Sequence, residues 1–309
     1  MELRKSYAAE LSRLMKENDK IVILDADLAG AGGTKALYKE FPQRCFNCGI
    51  AEANMTCIAA GLSASGFIPV IHSFAPFATR RVFDHIAVSV SYSEQNVKII
   101  GWDPGITTTY NGGTHMCFED VAMMRALSNV AVLDIVDYVQ IEKALPQIIN
   151  HQGSVYVRMT RKLADNFYGE DYTFRFGKAD KISDGADITI LASGQLLFDT
   201  KEAVAKLAAE GISADFLAIH TIKPLDEEAV LASAAKTGAV LTVENHSIHG
   251  GLYSAVCETL AANNPTLCDA IAVRDKISQV GSLADLKRDY HLTADDIVAK
   301  AKALVAKKK

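Results

Sequence analysis

The chain alternates between short apolar runs and stretches with helical spacing. The runs "KIVILDAD" (20–27), "FIPVIHSF" (67–74), "NVKIIGW" (96–102), "NVAVLDI" (129–135) and "SVYVRMT" (154–160) predict strands. Helical patterns at 33–40, 51–65, 78–91, 117–127 and 137–150 fall between most of them. Strands that are apolar throughout, rather than at every second position, are covered on both faces, and their alternation with helices predicts a parallel sheet. At 161–186 the pattern lapses into a polar stretch with three glycines and no helical period, which predicts a linker. The alternation then resumes with "DITILAS", a helix at 196–210, "SADFLAIH", a helix at 226–236, "GAVLTVEN", a helix at 250–262 and "CDAIAV". A terminal helix follows, capped by Thr293. The expected fold is α/β with two domains, each a mostly parallel sheet covered by helices. Their expected bounds are 1–165 and 187–309, with the linker at 166–186. No sequence repeat relates the two.

Composition narrows the class. The 309 residues are 49% hydrophobic and 22% charged, as in a globular protein, and the net charge of -5 is spread without a basic stripe. A nucleic-acid surface is therefore not expected. No apolar run approaches the roughly 18 residues that would cross a membrane, and the N-terminus "MELRKSYAAELSRLMKEN" reads as a charged amphipathic helix rather than a leader. A cytoplasmic location with six reduced cysteines is the expectation. Cys45 and Cys48 form C-x-x-C, but "RCFNCG" reads as a strand, whereas a redox pair wants a helix N-terminus. Zinc would want a second close pair, so no metal site is expected in this chain.

Parallel sheets bind ligands at the carboxyl ends of their strands, which directs attention to the loops after 27, 49, 73 and 102. In "GIAEANMTCIAAGL", Glu52 falls in the first turn of a helix that is apolar nearly all round, with Arg44 the only basic residue within ten. A favourable helix dipole accounts for a first-turn acid at under about 1 kcal/mol. An apolar helix is buried, however, and a buried carboxylate is costly without a partner. Such a group is suited to sharing a proton with a ring nitrogen. In "HSFAPFATRRVFDH", Phe74 and Phe77 sit at a strand-to-helix junction and could present two rings to one ligand, although core packing alone explains many F-x-x-F pairs. The long Gly- and Thr-rich loop "GWDPGITTTYNGGTHMCFED" offers Asp103, Asn111 and His115, and loops of this length commonly carry function.

In order and spacing, these segments resemble the thiamine-diphosphate-dependent transketolases. The matching residues are "GIAEANM", "SFAPFATRRVFDHI", "GGTH" with "EDVAMMRALSNV", and "VYVRMTR" for the pyrimidine-binding domain. "ASGQLLFDTKEAV" and "VENHSIHGGL" look like the family's C-terminal domain. The resemblance implies that Glu52 hydrogen-bonds N1′ of the cofactor's aminopyrimidine and favours the tautomer that deprotonates the thiazolium. It makes Phe77 the stacking aromatic, Phe74 its neighbour, and Asp27 an acid near the cofactor at a subunit interface. His115 would be catalytic, near the donor sugar and the pyrimidine. Arg161 and Arg4 would bind substrate phosphate, and guanidinium groups suit that contact.

The departures bear on the substrate. Asn111 stands where many members have aspartate, and Trp102-Asp103 where many have a histidine. Asp103 is expected to repel a substrate phosphate, for which Arg81 of the Arg80-Arg81 doublet could compensate. The "GDG…N" motif that holds the cofactor's diphosphate through a metal is absent. The resemblance thus implies a split transketolase subunit with half a cofactor site. It would have a homodimeric core and join an N-terminal diphosphate-binding subunit, which brings Mg or Ca, in an α2β2 assembly acting on sugars or sugar phosphates. Alternatives of the same fold are a deoxyxylulose-phosphate synthase-like enzyme and a 2-oxoacid dehydrogenase β-subunit. A non-catalytic regulatory subunit is a third.

Overall fold

The computed structural model describes residues 1–308, which divide into two compact units. One comprises Met1–Pro104 and Met123–Phe176, the other Gly105–Ala122 and Gly177–Lys309 without its last residue. Residues 105–122, placed by sequence pattern with the first domain, thus cluster with the second.

The first unit contains β1 (Ile21–Asp25), β2 (Cys45–Asn47), β3 (Ile68–Phe74), β4 (Lys98–Trp102), β5 (Val130–Ile135) and β6 (Ser154–Met159). They lie in the order β5-β6-β4-β3-β1-β2, every neighbouring pair parallel. β1, β4, β5 and β6 are buried at every residue, which is why they read as continuous apolar runs. From β1 the chain moves outward to β2, then returns to the other side of β1 as β3. That reversal opens a crevice at the carboxyl ends of β1 and β3, where this class of sheet binds ligands.

Helix Leu3–Glu17 buries Leu3, Tyr7, Leu11, Leu14 and Met15, one stripe at helical spacing, and packs beside helix Tyr138–Asn150. The predicted helix at 78–91 is broken. A short helix Ala75–Ala78 ends at Thr79, whose φ and ψ of -129° and -83° are not helical. A 3-10 turn Arg80–Val82, a turn Phe83–His85 and a π-helical stretch Ile86–Tyr92 follow.

The second unit contains β7 (Asp180–Ser183), β8 (Ile188–Ala192), β9 (Ala214–Ala218), β10 (Thr221–Lys223), β11 (Ala239–Ser247) and β12 (Leu267–Val273). Its sheet runs β12-β11-β8-β9-β7, parallel except for β7 against β9. β7 lies inside the stretch read as a linker. It is an edge strand buried mainly at Asp180, so it lacks the apolar run that marks its neighbours. Thr293 caps helix Ala294–Lys307 in a reciprocal capping box with Asp296, as the sequence predicts. Among the described residues no helix is long and apolar enough to cross a membrane, and no cluster of three His, Cys, Asp or Glu could hold a metal.

Lys98 is fully buried at the start of β4, where its ammonium donates to Asn96 Oδ1 at 2.6 Å and to the carbonyls of His151 and Gly153 at 2.7 and 2.8 Å. Burial nonetheless draws its pKa down to about 7 from the 10.5 of an exposed lysine. Between those values the unfolded chain holds a proton that the folded chain has released, so stability rises with pH across that window. Unfolding of the first unit, followed by urea titration between pH 7 and pH 10, should show the rise, and Lys98→Met should flatten it. A wild-type profile already flat would refute the shift.

Candidate functional site

The residues singled out in the first unit gather at the carboxyl ends of its strands. Asp27 follows β1, Glu52 follows β2, Phe74 ends β3, Asp103 follows β4 and Arg161 follows β6. Asp27 and Asp103 both have positive φ, 59° and 50°, a conformation that non-glycine residues adopt at a cost and that clusters at functional sites.

Glu52 is the first residue of helix Glu52–Ala64 and only 3% exposed. The helix buries Met55, Thr56, Ala59 and Ala60 and leaves Cys57 and Ile58 exposed, so it is buried on one side rather than all round. Glu52 does have a cationic partner. Arg81 Nη1 donates to Glu52 Oε1 at 2.7 Å, across 29 residues of sequence. Arg81, expected to serve a substrate phosphate, is engaged with this carboxylate and sits on the 3-10 turn that follows the break at Thr79. The same guanidinium lies 3.8 Å from the centroid of the Phe77 ring. Phe77 meets Phe74 edge to face, with centroids 6.3 Å apart and planes at 81°.

A second cluster adjoins through Phe74, which carries the Arg161 guanidinium 4.6 Å from its centroid. Arg161 Nε donates to Asp103 Oδ2 at 2.6 Å, and its backbone N–H donates to Asp103 Oδ1 at 2.9 Å. Asp103 is therefore not the bare negative charge that would repel a phosphate; it holds Arg161. Burial raises its pKa, and Arg161 opposes that rise. Arg4 Nη1 donates to the Ala31 carbonyl at 3.0 Å, which Arg161 Nη1 also approaches at 3.5 Å, so two guanidinium groups converge on one backbone atom. Beside them Trp102 is buried, and a Cβ at Gly32 would sit 2.9 Å from its Nε1, so a small residue is needed there. Asp27 Oδ1 accepts from Asn47 Nδ2 at 3.3 Å, and Asn47 Oδ1 accepts from the N–H groups of Asp27 and Gly49.

Asn111 and His115 belong to the segment that clusters with the second unit. Asn111 is exposed, and His115 lies in a turn ahead of helix Asp120–Ala126, its ring nitrogen 2.9 Å from Thr114 Oγ1. Cys45 is buried and Cys48 partly buried, and burial pushes the thiol of Cys45 up to about 12, so neither the thiolate nor a redox role is favoured.

Pattern reading missed a buried polar layer beneath the crevice. Asp25, fully buried on β1, accepts from Thr34 Oγ1 at 2.9 Å and from Tyr38 O–H at 3.1 Å. Its register partner on β3 is His72. The contact of His72 Nδ1 with the Leu24 carbonyl at 3.4 Å needs the proton on Nδ1, since a carbonyl only accepts. Nε2 then accepts from Tyr7 O–H at 2.6 Å. Burial lowers the pKa of His72 and raises that of Tyr7, which keeps both neutral. An aspartate and a histidine inside continuous apolar strand runs were the available signal.

Fold and site together define a parallel α/β ligand-binding domain, with its polar groups at the strand ends, followed by a second α/β domain. The profile described as "Transketolase, pyrimidine binding domain" matches residues 1–166, and "Transketolase, C-terminal domain" matches 177–297. The chain belongs to the transketolase family. Over 306 residues it is 46% identical to a protein of Clostridium sp. (strain MSTE9) named 6-deoxy-6-sulfo-D-fructose transketolase subunit SqwH, covering 99% of this chain and 95% of that one. It is 33% identical to an apulose-4-phosphate transketolase subunit of Phocaeicola vulgatus, covering 98% and 97%. A solved structure titled "Split gene transketolase, inactive beta4 tetramer" superimposes with a TM-score of 0.93 at 38% identity over the whole of both chains.

Proposed function

We propose that this chain is the pyrimidine-binding subunit of a split transketolase. With a separate diphosphate-binding subunit and thiamine diphosphate, it transfers a two-carbon ketol unit from a ketose to an aldose. The carrying observation is Glu52: a nearly buried carboxylate beside Phe77 at the mouth of a parallel-sheet crevice. The pair already takes up a flat, N–H-bearing group between acid and ring, which is the fit an aminopyrimidine needs. Thiamine diphosphate, when bound, supplies a nucleophilic carbon and an electron sink for breaking a carbon–carbon bond. Glu52 would hold a proton at the pyrimidine's ring nitrogen, Phe77 and Phe74 would seat its face, and Asp27 would border it. Arg4 and Arg161 would receive an anionic end of the sugar, with Arg161 aimed by Asp103. His115 and Asn111 are proposed to contact the sugar's reacting end. A Mg or Ca ion would come with the partner.

Exposed Ile50, Ile58, Val88 and Tyr92, on and around helix Glu52–Ala64 and the Ile86–Tyr92 turn packed on it, supply an apolar face for the proposed homodimeric core. The relative titled an inactive tetramer fits a lone chain with half a site. The test is co-expression with the neighbouring diphosphate-domain subunit, followed by cofactor-binding and ketol-transfer assays. Both should appear in the mixture and neither with the chain alone; tight cofactor binding by the chain alone would refute the half-site.

A further inference from the structure

We propose that Arg81 is a built-in stand-in for the aminopyrimidine. Without cofactor its guanidinium occupies the seat between Glu52 and Phe77, and cofactor loading proceeds by displacing it. The inference rests on the reading of that seat given above. A guanidinium is planar, delocalised and weakly hydrated, with its N–H bonds in the plane. It can therefore point an edge at a carboxylate and a face at a phenyl ring in one pose, as a flat nitrogen heterocycle can. Arg81 does both, with Nη1 2.7 Å from Glu52 Oε1 and its central carbon 3.8 Å from the Phe77 centroid. The one cation within ten residues of Glu52 in sequence, Arg44, is engaged by the carbonyls of Asn18 and Met15.

The burial of the two partners is unequal, and that asymmetry makes exchange feasible. The Glu52 side chain is 3% exposed and needs a partner in either state, because an unpaired carboxylate there would be costly. The Arg81 side chain is 44% exposed and can swing outward without opening the core. Arg81 thus keeps Glu52 satisfied before loading and competes with the ring that replaces it. A competitor of this kind lowers apparent affinity, so its removal should tighten binding.

The experiment uses the chain co-purified with its partner subunit and measures thiamine diphosphate binding by titration calorimetry for wild type, Arg81→Ala and Arg81→Lys. Arg81→Ala should lower Kd by about tenfold, the order expected for losing one stacked, partly exposed cation. Arg81→Lys, which keeps charge but not the planar face, should fall between. In parallel, 15N-arginine spectra of the wild-type complex should show the Arg81 side-chain signal, assigned by its absence from Arg81→Lys, losing its ring-current shift on loading. If the wild-type complex binds no thiamine diphosphate, the seat itself is misread. If it binds, and Arg81→Ala binds equally or more weakly, or the Arg81 signal keeps its shift, the displacement is overturned while the seat stands. The wild-type spectrum decides should Arg81→Ala fail to fold.

Discussion

Replacing Glu52 with glutamine is expected to lower ketol transfer by the reconstituted complex about a thousandfold, within the range for losing a general acid–base group. Glutamine keeps the shape and one acceptor oxygen, so the helix Glu52–Ala64 should still form, and the ion pair to Arg81 weakens to an ordinary hydrogen bond. What is lost is the exchangeable proton. The expected signature is a collapse of kcat with an unchanged far-UV spectrum and only a modest change in cofactor Kd. Activity within tenfold of wild type would remove Glu52 from the chemistry and leave it as a first-turn acid that favours the helix dipole.

The largest expected effect on stability lies on the neighbouring strands β5 and β6. Asp134 and Arg158 are register partners there, their side chains 5% and 1% exposed, with Arg158 Nη1 3.3 Å from Asp134 Oδ2. Removing one member of a buried ion pair costs about 3–5 kcal/mol, whereas replacing both members with apolar groups is often nearly neutral. Arg158→Leu should therefore destabilise the first unit by that amount. Arg158→Leu with Asp134→Leu should recover most of the loss. Because the chain has two units, the urea transition to follow is that of the first, resolved by limited proteolysis or hydrogen exchange. A single variant that loses under about 1 kcal/mol would mean that Asp134 has ample polar compensation from its other surroundings.

Elements built on short-range periodicity were legible. β3, β4, β5 and β6 fall within a residue or two of their apolar runs, and Thr293 caps the last helix because its capping signal spans only three residues. Edge strand β7, short strand β10 and helix Leu283–Asp289 were not foreseen: β7 has little burial and leaves no apolar run, and the other two, at 3 and 7 residues, are too short to show a period. The break at Thr79 was hidden because "FATRRVFDHIAVSVSY" keeps a helix-like spacing on both sides of it.

For the site, the sequence alone determined the types and chain positions of the groups: an acid opening an apolar helix, two phenylalanines at a strand end, and arginines bordering the strands. Each is a local feature, fixed by a few neighbouring residues. Tertiary structure alone decided which of them meet. Arg81 reaches Glu52 across 29 residues, Arg161 reaches Asp103 across 58, and Tyr7 reaches His72 across 65. Those meetings depend on strand order, because placing β3 beside β1, and β4 between β3 and β6, brings loops far apart in sequence to one edge of the sheet. The periodicity of a run specifies that a strand is buried, not which strand lies beside it, so the partner of Glu52 could be read only from the fold.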